Sequence, residues 1–233
     1  VIRSLVDSKL AAPDGSRLSR VHLAGPDGGP AGRLRVGFQY TAPSNVVLFV
    51  MINGFVASIG IVAQRRSGMS RRLLATPART WELFLMLAVG PAQRMVVQAV
   101  FLIGITALAF GVPWGDALGV ALVTLGLVAV GVSLVFLMGT IFRTEEQAGS
   151  VGPLLGIVLG MLGGCMWPLE VVPPLMKQIG LLSPAAWAMD GYLALIFGRV
   201  GAGAILPAVG GLLGMATAFT ALGIVRLRPQ FSR

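Results

Sequence analysis

Charged residues are scarce in this chain. Of its 233 residues only 12% are Asp, Glu, Lys or Arg, whereas 55% are hydrophobic, and the mean hydropathy is +0.84. An ordinary soluble domain has about 25% charged residues, so this composition excludes that class and indicates a polytopic membrane protein. The net charge of +9 does not indicate a nucleic-acid partner, because the basic residues lie at the ends of apolar segments and in one loop.

Cysteine and histidine each occur once. Cys165 alone excludes an intrachain disulfide, and its apolar surroundings favour a small core residue. His22 lies in a polar segment without a cluster of Cys or carboxylates, so a surface position is favoured over a metal ligand. An intramembrane hydrolase or acyltransferase would need a nucleophile with a base, or paired carboxylates, at membrane depth. The apolar segments contain neither, so this enzyme alternative is disfavoured and no metal site is predicted.

The first 44 residues form a polar segment rich in Gly, Pro and Arg, which we place outside the membrane. Alternation of Leu34, Val36 and Phe38 with Arg35 and Gly37 predicts a short strand. The segment has no apolar run like a signal peptide or a span, and the chain starts at Val1, so we expect a fragment that lacks an upstream piece. Its six basic residues against three Asp argue against an outer location, but only two of the six lie near a span.

Five apolar segments are long enough, or nearly so, to cross a hydrocarbon core of about 30 Å. The loop over residues 64–82 holds five of the 18 basic residues, and the C-terminus adds three more arginines. Because basic residues are concentrated on the cytoplasmic side, this loop and the C-terminus are predicted to lie inside. The fold class is therefore all-α, with spans at about 45–63, 95–112, 117–142, 148–167 and 205–225.

The basic loop is predicted to contain two short helices. The first, Ser67–Ala75, ends at Thr76 because the following Pro77 disfavours a helical conformation there. The second begins with Thr80 as its cap and lies along the membrane surface until Pro91.

Glycines recur every fourth residue in the fourth span, at Gly152, Gly156, Gly160 and Gly164. This spacing places them on one helical stripe, which lets a neighbouring helix or a second protomer approach closely. Glycine is also simply common in membrane helices, but four in register favour a packing face.

Residues 168–201 are predicted to form an outer re-entrant or interfacial helical hairpin. The apolar piece within it has only about 13 residues, which is too short for a span. Ser183 followed by Pro184 is a good helix start. The residues that define this segment are Pro168, Pro173, Pro174, Pro184 and Trp187.

A few polar and aromatic residues near the membrane remain to be interpreted. Asn53, Gln98 and Asp190 could line a transport path, but Asn and Gln more often bond a neighbouring helix, and Asp190 is expected near the outer interface. Trp187 and Tyr192 are interpreted as anchors at the outer interface.

Four stretches, in order, resemble the permease subunits of type-2 ATP-binding-cassette (ABC) exporters over about residues 38–228. The first reads Arg65-Arg66-Ser67-Gly68, then Arg72-Leu73-Leu74-Ala75-Thr76-Pro77 and Trp81-Glu82-Leu83. The second is Phe110-Gly111-Val112-Pro113, and the third is Gly139-Thr140-Ile141-Phe142-Arg143 with Gln147-Ala148. The fourth is Pro168-Leu169-Glu170-Val171-Val172-Pro173-Pro174 with Ser183-Pro184-Ala185-Ala186-Trp187. Family members commonly have Glu where Gln64 stands and Thr where Met69 stands, and the family's first membrane helix has no counterpart here.

The resemblance implies an exporter permease that works with a second permease subunit and with separate ATPase subunits, which would bind the ATP and Mg²⁺. The chain itself has no Gly-rich Gly-Lys-Ser/Thr phosphate loop. Its basic loop would couple the ATPase to the spans. The charge alone favours the alternative that the arginines only orient the protein, whereas the sequence match favours coupling. The substrate would be a drug, lipid or glycan, with an amphipathic cargo favoured; a passive channel or scaffold remains an alternative. The implied coupling residues are Arg65, Arg66, Ser67, Gly68, Met69, Arg71, Arg72, Leu73, Leu74, Thr76 and Pro77.

Overall fold

Long apolar runs fold as helices here because lipid offers no partner for a free backbone amide or carbonyl. The computed structural model describes residues 30–67, 80–167, 173–198 and 201–231, and side chains within 37–67, 85–167, 173–198 and 201–226. These residues form α-helices and one 3₁₀ helix, and no strand occurs among them, which confirms the all-α class. The helices are α1 (Pro30–Arg66), α2 (Thr80–Phe110), α3 (Ala117–Ile141), α4 (Glu145–Leu162), α5 (Pro174–Gly180), α6 (Pro184–Gly198) and α7 (Leu206–Phe231), with the 3₁₀ helix at Ala202–Ile205.

Four described stretches are long and apolar enough to cross a membrane: Gly37–Arg66, Leu85–Phe110, Ala117–Ile141 and Ala202–Arg226. The α5–α6 pair, bent by 98°, is either a fifth, broken span or a re-entrant loop. The predicted fourth span, at about residues 148–167, coincides in part with α4, which ends at Leu162 and has a polar first turn. This helix is not among the described stretches that are long and apolar enough to cross a membrane.

Two local predictions are wrong. The strand predicted around Val36 lies in α1, which starts at Pro30 rather than near residue 45. A strand needs a partner to satisfy its backbone, whereas a helix bonds within itself, so five alternating residues were too weak a signal. The second error is the helix expected to lie on the surface as far as Pro91: α2 is continuous from Thr80 to Phe110 and contains Pro91. Membrane helices tolerate proline because neighbouring groups satisfy the carbonyl it leaves unpaired.

Helix α3 is the centre of the fold and packs against α1, α2, α6 and α7, while α4 packs on α1. The buried share of the most apolar stretch is 67% in α3 and 11% in α2. Helix α2 therefore lies at the periphery. The backbones of α1 and α3 approach so closely that a Cβ on Gly54 would lie 2.9 Å from the Gly131 carbonyl oxygen. Small residues of this kind permit close helix approach in lipid.

The two ends of the bundle can be assigned from contacts. Asp116, before α3, accepts a hydrogen bond of 3.1 Å from the Ala202 amide, before α7. Gly223, near the other end of α7, lies against Phe136 and Leu137 of α3. Helices α3 and α7 therefore run in the same direction. Ile61, near the end of α1, lies against Gly139 near the end of α3, so α1 and α7 end at the same end of the bundle.

Candidate functional site

The predicted coupling site begins where α1 ends. We call residues 64–82, from the last turn of α1 to the first turn of α2, the elbow. Its described residues include Arg65, which is half-buried, and Arg66 and Ser67, which are exposed. The Ser67 amide still donates to the Ala63 carbonyl at 3.0 Å, so the helical turn continues to this point. The predicted short helix and the remaining coupling residues lie outside the described residues: Gly68, Met69, Arg71, Arg72, Leu73, Leu74, Thr76 and Pro77.

Arg65 is bound to the end of α3. Its Nη1 donates a hydrogen bond of 2.6 Å to the carbonyl oxygen of Gly139. The last carbonyls of a helix have no amide partner within the helix. The Arg143 amide, which would come next in the helical pattern, instead donates to Gln147 Oε1 at 3.1 Å. Arg65 therefore caps α3 from another helix, and its positive charge faces the negative end of the α3 dipole.

Apolar contacts also hold the helices together at the end of the bundle where Arg65 lies. A Cβ on Gly139 would lie 2.7 Å from Ile61 Cγ2, so only glycine leaves room for α1 to pass here. Beside it, Val62, Phe142 and Ala148 form a small buried cluster. The last turns of α1 and α3 and the first turn of α4 are thus packed together next to the start of the elbow.

A polar turn joins α3 to α4 in this region. The Thr144 hydroxyl accepts a hydrogen bond of 3.0 Å from the Gln147 amide, while the Gln147 side chain reaches back to the Arg143 amide. This reciprocal arrangement resembles a capping box. The exposed Glu145 and Glu146 follow in the first turn, where the helix dipole favours negative charge.

The predicted glycine stripe lies on α4 and faces α1 of the same chain. A Cβ would lie 3.4 Å from Phe55 Cβ at Gly152, 2.8 Å from Ile52 Cα at Gly156 and 2.6 Å from Leu48 Cδ1 at Gly160. The fourth glycine is not on the stripe, because α4 has already ended.

Gly164 instead has a φ of +89°, a conformation that glycine adopts without strain. Its carbonyl accepts a hydrogen bond from the Tyr40 hydroxyl of α1. The predicted stripe is therefore three glycines long, followed by a turn tied to the other end of α1.

Asn53 of α1 and Gln98 of α2 are hydrogen-bonded to each other, with the Asn53 amide as donor. This favours the interpretation that they join neighbouring helices. Asp190 is exposed.

Replacing Asn53 or Gln98 by Leu should destabilise the protein modestly, and the double replacement should do little further harm because the partners have been removed together. A double-mutant cycle, measured by thermal unfolding in detergent, should give a coupling free energy of about 0.6 kcal/mol, the average for such bonds between membrane helices. Strictly additive single effects would contradict the bond.

At the opposite end, α5 and α6 meet at a bend centred on Ser183. As predicted, α6 begins at Pro184, and the Ser183 hydroxyl accepts a 3.2 Å bond from the Ala185 amide. The same hydroxyl donates to the Leu159 carbonyl of α4 at 2.8 Å. Of the other residues in the predicted outer segment, Pro173 precedes α5 and Pro174 begins it, while Pro168 lies outside the described residues.

Trp187 and Tyr192 differ in their surroundings. Trp187 is half-buried; its Nε1 donates to the Leu181 carbonyl at 2.9 Å and its ring lies against Gly211 of α7. The interpretation of Tyr192 as an interfacial anchor is wrong, because its side chain is fully buried. Its hydroxyl lies 2.8 Å from Thr124 Oγ1 of α3, and its ring contacts Trp114 edge to face with centroids 5.5 Å apart.

Sequence reasoning missed several of the long-range polar contacts described above, among them Arg65 with Gly139 and Tyr192 with Thr124. One signal was available for Tyr192, which shares a face of α6 with Ala185, Ala188 and Leu195, all buried. No pattern in the sequence indicates that Arg65 reaches a carbonyl 74 residues away.

Comparison with known proteins extends over most of this structure. The family described as ABC-2 type transporter matches residues 32–197, from α1 into α6. The linearmycin resistance permease protein LnrN of Bacillus subtilis is 31% identical over 187 residues, which are 78% of this chain and 47% of that protein. The probable multidrug ABC transporter permease YbhR of Escherichia coli is 26% identical over 154 residues, 62% of this chain and 40% of that protein. The chain thus spans about half the length, or less, of these curated relatives. No solved structure matches it significantly.

Proposed function

The chain belongs to the ABC-2 type transporter family, and on this premise we propose that it is the membrane-spanning permease of an ATP-driven exporter. The observation that carries the proposal is the extent of the family match, which begins in α1, includes the whole elbow and continues into the bent α5–α6 pair. The two relatives described above are named as permeases, one for linearmycin resistance and one a probable multidrug permease.

Energy is supplied by a separate ATPase subunit. The sequence holds no Gly-rich phosphate loop with Gly-Lys-Ser/Thr, so ATP and Mg²⁺ are bound by the partner and not by this chain. The elbow is the contact with that partner. It joins α1 directly to α2, so a displacement of the elbow when the ATPase closes on ATP acts on both helices. A second permease subunit, identical or related, completes the transporter.

The protein spans the plasma membrane several times, with the elbow and the C-terminus in the cytoplasm. Two features support this orientation. Five of the 18 basic residues lie in the elbow, and the exposed Arg226 lies at the same end of the bundle. Basic residues near span ends are retained on the cytoplasmic side.

The cargo is an amphipathic, lipid-like compound, taken from the cytoplasm or the inner leaflet. Support comes from the apolar character of the described helices and from the relatives' names, one of which refers to linearmycin resistance and the other to a probable multidrug permease. A multiply charged cargo would meet few compensating side chains at membrane depth, where unpaired charge is unfavourable.

Reconstitution tests this proposal. The full-length permease is purified from its native host with whatever ATPase subunit it retains, placed in nanodiscs and assayed for ATP hydrolysis. The added compounds are linearmycin, a short-chain phospholipid and, as a charged control, a sulfated oligosaccharide. Stimulation by the first two, but not by the third, is expected. A permease that retains no ATPase under any mild extraction would overturn the proposal.

A further inference from the structure

We propose that Arg65 is a positioning residue that links the elbow to α3, so that movement of the elbow reaches the centre of the fold and not only α1 and α2. This inference rests on the proposed function and adds to it a route for the movement inside the permease. The route starts at the hydrogen bond between the Arg65 guanidinium and the Gly139 carbonyl.

The geometry gives Arg65 a different role from its neighbour. Arg66 is exposed, whereas Arg65 is half-buried. The Nη1 atom of Arg65 lies 2.6 Å from the Gly139 carbonyl oxygen of α3, inside the bundle. If both arginines served only to orient the protein in the membrane, either side chain could point into the aqueous phase. Arg65 instead occupies the position of a missing backbone donor at the end of α3.

The bond also holds two helices in register at a place where packing alone could let them slide. Ile61 fits over Gly139, and the Val62, Phe142 and Ala148 cluster lies beside it. Such apolar contacts resist separation, but lipid tails are as apolar as the side chains, so no hydrophobic effect opposes a small shift along the helix axis. A charge-assisted hydrogen bond to one carbonyl is directional and does oppose it.

Helix α3 is the right recipient for such movement. It has the largest buried share of the four stretches that could cross a membrane, with α7 along one side and the buried face of α6 near its opposite end. By contrast, α2, which receives the other end of the elbow, has little buried surface. A displacement that reached only α2 would therefore move a peripheral helix and leave the buried helices in place.

The test measures whether α1 and α3 move as one unit. Cys165, the chain's only cysteine, is replaced by Ala, and spin labels are attached at Gly60→Cys on α1 and Ile141→Cys on α3. Gly60 has open space where a side chain would project, and Ile141 is exposed. The labelled permease with its co-purified ATPase is placed in nanodiscs, and the distance distribution is recorded with and without Mg²⁺, ATP and vanadate.

In the otherwise unchanged protein the distance between the two labels should stay narrow and the same in both states. In Arg65→Gln it should broaden or split when ATP and vanadate are added, and stimulation of ATP hydrolysis by transported compound should be lost. Arg226→Gln removes the same charge at the same end of the bundle but outside the elbow, and it should behave like the parent. Arg65→Lys, which keeps a charged donor, should restore the narrow distribution at least in part.

The possible outcomes distinguish a failure of the role proposed for Arg65 from a failure of the proposed exporter function. An unchanged, narrow distribution in Arg65→Gln, with vanadate trapping as in the parent, overturns the role of Arg65 and leaves the exporter proposal standing. Equal broadening in Arg226→Gln overturns it as well, because a general charge effect would then suffice. A parent permease that binds no ATPase contradicts the proposed function, and the inference falls with it.

Discussion

Replacing both Leu73 and Leu74 by Asp is expected to abolish co-purification of the ATPase subunit and, with it, all nucleotide-dependent transport. If the elbow binds the ATPase through its short predicted helix, two adjacent leucines would supply most of the apolar contact. Burying two carboxylates without partners in a protein interface would cost several kcal/mol. The measurement is the ratio of ATPase to permease after affinity purification.

A matched control exists at the opposite end of the molecule. Leu181 and Leu182 are also adjacent, also apolar and both exposed, at 46% and 76%. The double Asp replacement there should leave the ATPase ratio unchanged. If the Leu73 and Leu74 variant folds and retains its ATPase, the elbow is not the coupling element.

Gly156→Ala is expected to lower the stability of the protein by about 2 kcal/mol, within the range known for overpacked cores. The new methyl group would lie 2.8 Å from Ile52 Cα and 3.0 Å from its amide nitrogen, and backbone atoms cannot rotate away as a side chain can. Helices α1 and α4 would have to move apart along the whole interface between them. Thermal unfolding in detergent, followed by intrinsic fluorescence, measures the effect.

Gly149→Ala is the control, because it makes the same change two turns earlier on α4. Its methyl group would lie 3.7 Å from Ile59 Cδ1, an ordinary contact. Since Ala favours a helix over Gly by about 1 kcal/mol in exposed helix interiors, this variant should be neutral or slightly stabilised. Equal losses of stability in the two variants would show that the α1–α4 interface at Gly156 is packed no more tightly than the rest of α4.

Much of the fold could be predicted from the apolar pattern alone. The run from Ala117 was expected to be helical to residue 142 and forms α3, which ends at Ile141. Errors arose where a local rule competed with the membrane environment. Pro91 was taken as a helix end, yet α2 passes through it, and Val36 was placed in a strand although no partner strand occurs among the described residues.

The candidate site was predictable in part. Its position between two spans and its basic character follow from the loop sequence, and the match to the ABC-2 type transporter family covers it. The difference between Arg65 and Arg66 was not predictable, because both look like orienting charges at a helix end. Only the position of Gly139 beside α1 gives the first of them a specific partner.

The sequence by itself determined the class, the approximate places of the helices and the family. A long apolar run in lipid has to satisfy its backbone hydrogen bonds internally, which leaves few structures other than a helix. The length of the run and these hydrogen bonds are local properties of the chain. Only the tertiary structure decided which helix Gly152, Gly156 and Gly160 of α4 face, that Tyr192 is buried against Thr124, and that Arg65 caps α3. Each of these is a contact between residues far apart in the chain, and helix packing in lipid depends on shape and a few hydrogen bonds that no periodic pattern records.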